Sequence, residues 1–217
     1  MACLVTAGPS YEPFDEVRRL TNFSTGTLGA ELANFLVDHG HAVLLLLGHY
    51  STYQGEHKAQ QIIRFTTGED LRGKLQALRK LAIGAVFHAA AVCDFAPGKI
   101  WTRLPAGELE ELHARKISSR ENSLFAELIP TPKILGSLRA WFPKAQIVGW
   151  KYEVDGDRAS VLSAARQQIS DNETDGCVAN GPAYGEGFGF LNRTGILSHL
   201  MNSQALFELL ARQIAPR

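Results

Sequence analysis

Short apolar runs recur along the chain, and stretches of helical period fall between them. "CLVTA" (3–7), "AVLLLL" (42–47), "IIRFT" (62–66), "GAVFHAAA" (84–91), "QIVGW" (146–150) and "GCVAN" (176–180) are each about as long as a strand. Several are apolar without alternation, as strands covered on both faces should be. Between them, Leu28, Leu32, Phe35 and Leu36 share one helical face, and so do Leu71, Leu75 and Leu78. The same holds for Val161, Leu162, Ala165 and Ile169, and for Leu206, Phe207, Leu210 and Ile214. This alternation predicts an α/β fold, a Rossmann-like three-layer sandwich with a mostly parallel sheet. A length of 217 residues suits a single domain over 1–217.

One region breaks the rhythm. From about 95 to 132 the chain carries Pro97, Gly98, Pro105 and Gly107, then the polar "ELHARKISSRENSLFAELIPTP". Alternation in "NSLFAEL" predicts a strand there, so the excursion reads as a flap or hairpin outside the main sheet. It serves either as a functional loop or as a dimerisation arm.

Charge narrows the partners. Lys plus Arg equals Asp plus Glu, 22 against 22, which argues against an electrostatic binder of nucleic acid or of a membrane surface. No apolar run reaches membrane-spanning length. Cys3, Cys93 and Cys177 are odd in number and scattered, which suits a reducing compartment. The first residues enter a strand with no charged leader ahead of it. A soluble, cytoplasmic protein is expected.

Motifs decide less individually than together. "GEDLRGKL" (68–75) matches G-x-x-x-x-G-K, but Leu75 stands where a magnesium-binding Ser or Thr is needed, and Glu69 and Asp70 would repel phosphate. It reads as helix surface. Gly26 and Gly29 open a helix as a dinucleotide fold requires, yet "LLLLGHY" ends without an acidic residue to grip a ribose. No Tyr-x-x-x-Lys pair exists, so a nicotinamide oxidoreductase is weakly supported. Histidines and cysteines lack paired ligand spacing, so no protein metal site is expected. His88 reads as a satisfied strand-end residue, and Cys93 has no visible activating partner. What remains gathers after strand ends: "TAGPSYEPFDEVRRLTNFSTG", "HAAAVCDFAP", "ARKISS" and "VANGPAYGEGFGF". In an open parallel sheet such ends converge on one crevice. The polar residues there are Arg18, Arg19, Asn22, Ser24, Thr25, Asp94, Lys116 and Asn180, donors suited to phosphate and carboxylate groups.

These segments resemble the phosphopantothenoylcysteine synthetase (phosphopantothenate–cysteine ligase) domain family of coenzyme A synthesis. "VTAGPSYEPFDEVRRLTNFSTGTLGAELANFL" is similar to its opening motif, "AAAVCDF" to its "AAVADY", "RKISS" to the start of its Lys-Ile-Lys-Lys motif. "VGWKYE" is similar to its "VGFAAE" and "CVANGPAYGEGFGF" to its "ANDV…FGSD", so the likeness runs from about Cys3 to His199. The resemblance implies a Rossmann-like homodimer that activates the carboxylate of 4′-phosphopantothenate with CTP or ATP and Mg2+. Pyrophosphate leaves, and the amine of cysteine attacks the acyl-nucleotidyl intermediate. No flavin is expected.

Carried over by position, the resemblance makes Asn22, Lys116 and Arg18 the catalytic set. Asn22 engages the acyl group, Arg18 precedes it, and Lys116 neutralises charge during transfer to cysteine. Gly8, Ser24, Gly26, Gly29, Ala91, Asp94, Asn180 and Phe188 are the implied nucleotide-site residues, with "STGTLG" on the phosphate side. The chain departs from the family pattern at Pro9 (a second glycine), Tyr11 (arginine), Thr27 (lysine), Ser118 and Ser119 (lysine motif) and Gly181 (aspartate). "PTPK" (130–133) also stands where "KNPD" is usual. Each lost cation removes a charge-assisted phosphate contact of about 1.5–3 kcal/mol. Arg115 and Lys151 are the candidates to compensate. Two other readings stay open: a nucleotide-binding, non-catalytic or regulatory paralogue, and a ligase for another small acid.

Overall fold

The computed structural model describes residues 1–113, 115–118 and 123–214. Eight strands form the main sheet. Six of them run parallel: β1 (Ala2–Ala7), β4 (Ala42–Gly48), β5 (Gln61–Phe65), β6 (Ile83–His88), β10 (Gln146–Tyr152) and β11 (Gly176–Asn180). Two more, β12 (Phe188–Asn192) and β13 (Leu197–Leu200), extend one edge as an antiparallel hairpin. The sheet order is β13-β12-β11-β10-β6-β1-β4-β5. Chain direction across the sheet therefore reverses between β1 and β6, the switch point at which such sheets bind ligands.

The apolar runs became strands because both faces are covered. Cys3, Val5 and Ala7 of β1, and Val43, Leu45 and Leu47 of β4, enter one core cluster. It also takes Leu32 and Leu36 of α1 (Thr27–Asp38) and Leu206, Phe207 and Leu210 of α5 (Ser203–Arg212). Leu4 and Leu46 enter a second cluster with Leu71 and Leu75 of α2 (Gly68–Leu78) and Leu138 of α3 (Leu135–Trp141). A third cluster joins Val161, Leu162, Ala165 and Ile169 of α4 (Arg158–Asn172) to Cys177 and Ala179. Alternate strand residues thus serve opposite faces, which removes any polar face from these strands.

The excursion at 95–132 contains a three-stranded antiparallel flap of order β8-β7-β9, from β7 (Phe95–Arg103), β8 (Leu109–Glu111) and β9 (Leu124–Pro130). The expected strand in "NSLFAEL" is β9; residues 114 and 119–122, Ser119 among them, lie outside the described residues. The insert between β1 and α1 makes a second small hairpin, β2 (Tyr11–Pro13) and β3 (Arg19–Thr21).

One expectation needs correction, and two elements escaped the sequence reading. "GAVFHAAA" is a strand only to His88, with Ala91 in an isolated bridge to Pro9. Strand β12, which begins at Phe188 inside "VANGPAYGEGFGF", was not among the expected strands. Helix α3 escaped the sequence reading because seven residues are too few to set a helical period. The "GEDLRGKL" match is indeed helix surface: Thr67 caps α2, and Lys74 pairs with Asp70 at 2.5 Å. Among the described residues no helix is long and apolar enough to cross a membrane.

Candidate functional site

The exits of β1 and β6 stay joined past the end of the sheet. Ala89 N–H donates to Thr6 O (3.1 Å), Ala91 N–H to Gly8 O (3.0 Å), and Ser10 N–H to Ala91 O (3.1 Å). The Ala91 carbonyl also accepts from Asn22 Nδ2 at 3.2 Å. Asn22 is exposed, so its amide is tethered at one donor with the rest open to a ligand. Ser24 lies alongside, its N–H donating to Asn22 O at 3.0 Å.

Against this junction rests the start of α1. Gly26 is left-handed (φ 78) at the helix N-cap, and a Cβ there would lie 2.5 Å from Ser51 Oγ and 3.1 Å from Gly8 Cα. Gly29 faces Ala7 so closely that a Cβ would meet its Cβ at 2.6 Å. Gly8 is also left-handed (φ 80), which only glycine takes without strain. No acidic residue occupies the first turn of α1, so its dipole and N–H groups suit an anion. Gly8, Asn22, Ser24, Gly26, Gly29 and Ala91 thus come together as one neighbourhood.

The other residues that the sequence pointed to are spread more widely. Arg18 donates from Nη2 to Ile117 O at 2.5 Å, beside exposed Lys116. Asp94 leads into the flap and is paired with Lys133, the residue that replaces the last position of "KNPD". Asn180 ends β11, and its buried Oδ1 finds no hydrogen-bond partner among the described residues. Phe188 begins antiparallel β12 and so lies at the same edge of the sheet, half-buried against the core. Asn180 and Phe188 are two and three strands away from β6.

Several departures from the family pattern have physical causes. Gly181 has φ 110, and a Cβ there would sit 2.4 Å from Glu153 O, so an aspartate does not fit this loop. Thr27 spends its hydroxyl on Thr25 (2.8 Å). Tyr11 packs edge-on to Tyr50 at 5.3 Å, and the Arg19 guanidinium lies 3.6 Å over the Tyr50 ring. The two compensating cations are engaged: Arg115 with Glu16 at 2.5 Å, Lys151 with Glu153 at 2.9 Å.

Burial quiets the other reactive groups. Desolvation pushes the Cys3 thiol up to about 11 and the Cys177 thiol up to about 12, and raises that of Cys93. Cys93 is instead structural, its N–H donating to Ser10 Oγ at 2.8 Å. His88 is buried and lowered to about 4 by desolvation. Thr6 Oγ1 accepts from Ala90 N–H at 3.1 Å and shares a hydrogen bond with His88 Nδ1 at 2.9 Å. His88 is therefore a satisfied strand-end residue, as the sequence suggested.

Sequence reasoning missed Asp15. Its side chain is 2% exposed, and it accepts from the N–H groups of Val17 (2.8 Å), Arg18 (2.7 Å) and Ile117 (3.3 Å). Desolvation opposes its charge, but these donors outweigh it and hold the carboxyl below its usual range. The "D-E-V-R" spacing was a signal for a local turn cap; nothing in it announced Ile117.

Comparison with known proteins follows this geometry. The chain matches the family described as DNA/pantothenate metabolism flavoprotein C-terminal domain over residues 1–214. It is 32% identical to the coenzyme A biosynthesis bifunctional protein of Thermococcus kodakarensis, over 82% of this chain and 40% of that one. It is 28% identical to human phosphopantothenate–cysteine ligase, over 82% of this chain and 71% of the other. Among solved structures, the DNA/pantothenate metabolism flavoprotein of Streptococcus pneumoniae superposes with a TM-score of 0.86 at 27% identity, covering 99% of this chain and 98% of its own. The chain spans about two fifths of the length of the bifunctional relatives it matches.

Proposed function

The chain belongs to the DNA/pantothenate metabolism flavoprotein C-terminal domain family, and from that premise we propose that it is a ligase joining 4′-phosphopantothenate to L-cysteine at the expense of CTP or ATP. The observation that carries this reading is the Asn22–Ala91 tether beside the Gly8–Gly26 anion cradle. It sets an amide that can engage an acyl oxygen next to a helix N-terminus that can engage phosphate.

A carboxylate is a poor electrophile until one oxygen becomes part of a leaving group. Attack of the acid's carboxylate oxygen on the α-phosphorus of the nucleotide releases pyrophosphate and leaves an acyl-nucleotide. The amine of cysteine then attacks the acyl carbon, the nucleotide monophosphate leaves, and the ammonium proton passes to solvent. Negative charge shifts onto the phosphate oxygens in the first step and grows on the acyl oxygen in the second, so fixed donors lower the barrier most. In this reading the N-terminus of α1 holds phosphate, Asn22 orients the acyl group, and Lys116 neutralises the transfer to cysteine. Arg18, already bonded to Ile117, keeps the Lys116 segment in place. Asn180, with its unpaired Oδ1, and Phe188 suit a base donor and a stacking surface. Mg2+ would arrive on the triphosphate and would offset phosphate charge. Flavin has no part in this reaction. A homodimer built through the flap and a cytoplasmic location belong to the same proposal.

The test is pyrophosphate release with Mg2+, 4′-phosphopantothenate and cysteine, comparing CTP with ATP, with mass spectrometry of the product. Asn22→Asp should lower kcat/KM by about 10²–10³, and Lys116→Gln should slow product formation more than pyrophosphate release. Wild-type turnover in both variants would sink the site assignment. Nucleotide binding without pyrophosphate release from any small acid would favour the non-catalytic reading.

A further inference from the structure

We propose that Asp15 is a positioning residue, which holds the segment Arg115–Ile117, and with it Lys116, against the insert that carries Arg18 and Asn22. The loop around Asp15 is largely exposed, yet its own carboxylate is 2% exposed. A carboxylate that only capped its own turn would need the N–H groups of Val17 and Arg18 and could stay in water. Here the second oxygen is turned inward, onto Ile117 N–H at 3.3 Å and toward Arg18 Nε at 3.5 Å. Arg18 completes the grip by donating to the Ile117 carbonyl at 2.5 Å. One Asp–Arg pair thereby takes both backbone polar groups of a single residue far away in sequence.

The neighbouring residue is fixed independently. Glu16 N–H donates to Arg115 O at 3.0 Å, and its carboxylate accepts from Arg115 Nε at 2.5 Å. Ile117 buries its side chain to 2% exposure, while Lys116 between these anchors is exposed. The result is a cation presented from a backbone pinned on either side.

Chemistry explains why the pinning residue is an aspartate. Its two oxygens offer only acceptors, and every group facing them is a donor: three N–H groups and a guanidinium. Asparagine would turn an NH2 toward one of those donors. Holding Lys116 in place before reaction spares the cost of ordering a long side chain as charge develops. This consequence rests on the ligase reading; the holding itself does not.

Two readouts separate the claims. Limited trypsin digestion of folded protein, followed by mass spectrometry, measures cleavage after Arg115 and Lys116. Asp15→Asn should speed cleavage at these two bonds about tenfold or more, without changing cleavage elsewhere. An unchanged rate would overturn the proposal. Should Asp15→Asn fail to fold, Arg18→Gln removes the side-chain bond to the Ile117 carbonyl and the pairing with Asp15, leaves the Asp15–Ile117 N–H bond, and should speed the same two cleavages. In the ligation assay, Asp15→Asn should lower kcat for product at least tenfold, with KM for the nucleotide within about twofold. Opened cleavage with an unchanged kcat would overturn the positioning role. A wild-type protein that makes no phosphopantothenoylcysteine would refute the ligase reading, and the cleavage assay would still decide whether Asp15 holds the segment.

Discussion

His88 illustrates how a single residue takes its character from its surroundings. At the end of β6, beside the Thr6 hydroxyl, it is held as a neutral ring by burial, with a folded pKa of about 4 against an ordinary 6.5. Between those values the unfolded chain binds more protons than the folded one, so stability falls as the pH falls from about 6.5 to about 4. The loss should be on the order of 3 kcal/mol. Urea unfolding at a series of pH values would measure it, and His88→Gln should flatten the dependence over that window. The sequence hinted at this, since a histidine inside "AVFHAAA" must be satisfied where it stands. Asp15 is the opposite case. Its partner Ile117 is supplied by tertiary folding alone, so no local pattern could reveal it.

At the scale of elements, the decisive contact is between α1 and β1. Gly29 allows it, because a Cβ would come within 2.6 Å of Ala7 Cβ and 3.2 Å of Thr6 O. Gly29→Ala gains up to about 1 kcal/mol of helix propensity and costs about 1–3 kcal/mol in overpacking. The expected balance is a net loss of stability, seen in urea unfolding, with weaker nucleotide binding as the helix start is pushed from Gly8. A variant as stable as wild type would show that α1 can slide without penalty. The main helices and parallel strands were legible because their periods are long and strong. The β12–β13 hairpin was not: Asn192 builds its turn by accepting from Thr194 and Ile196 N–H, while the glycines before it read as loop. The 17-residue insert between Gly8 and Gly26 reads in sequence as an interruption. Folded, it is a hairpin that returns the chain to the same point, so the helix starts beside the strand it left.

For the whole molecule, the sheet order puts the β1–β6 switch point at the candidate site and leaves the flap outside the main sheet. The flap exposes apolar side chains, with Phe95 at 45%, Leu128 at 51% and Ile129 at 48%. Such residues are costly to leave in water and suit an interface between copies. The double change Leu128→Lys with Ile129→Lys should convert a dimer to monomer in sedimentation equilibrium while leaving the α/β core folded. A wild-type monomer at micromolar concentration, or a double variant that stays dimeric, would count against a flap-mediated dimer.

The sequence by itself determined the α/β class, the strands of the parallel sheet, the helix faces and the glycines at the start of α1. These follow from short-range periodicity and from conformations only glycine tolerates, both written locally in the chain. Tertiary structure alone decided that Asn22 would be tied to Ala91, that Asp15 would grip Ile117, and that Gly181 could carry no side chain beside Glu153. Each joins segments distant in sequence or depends on their close approach. Such pairings are chosen by the packing of the whole sheet, and no window of neighbouring residues contains them.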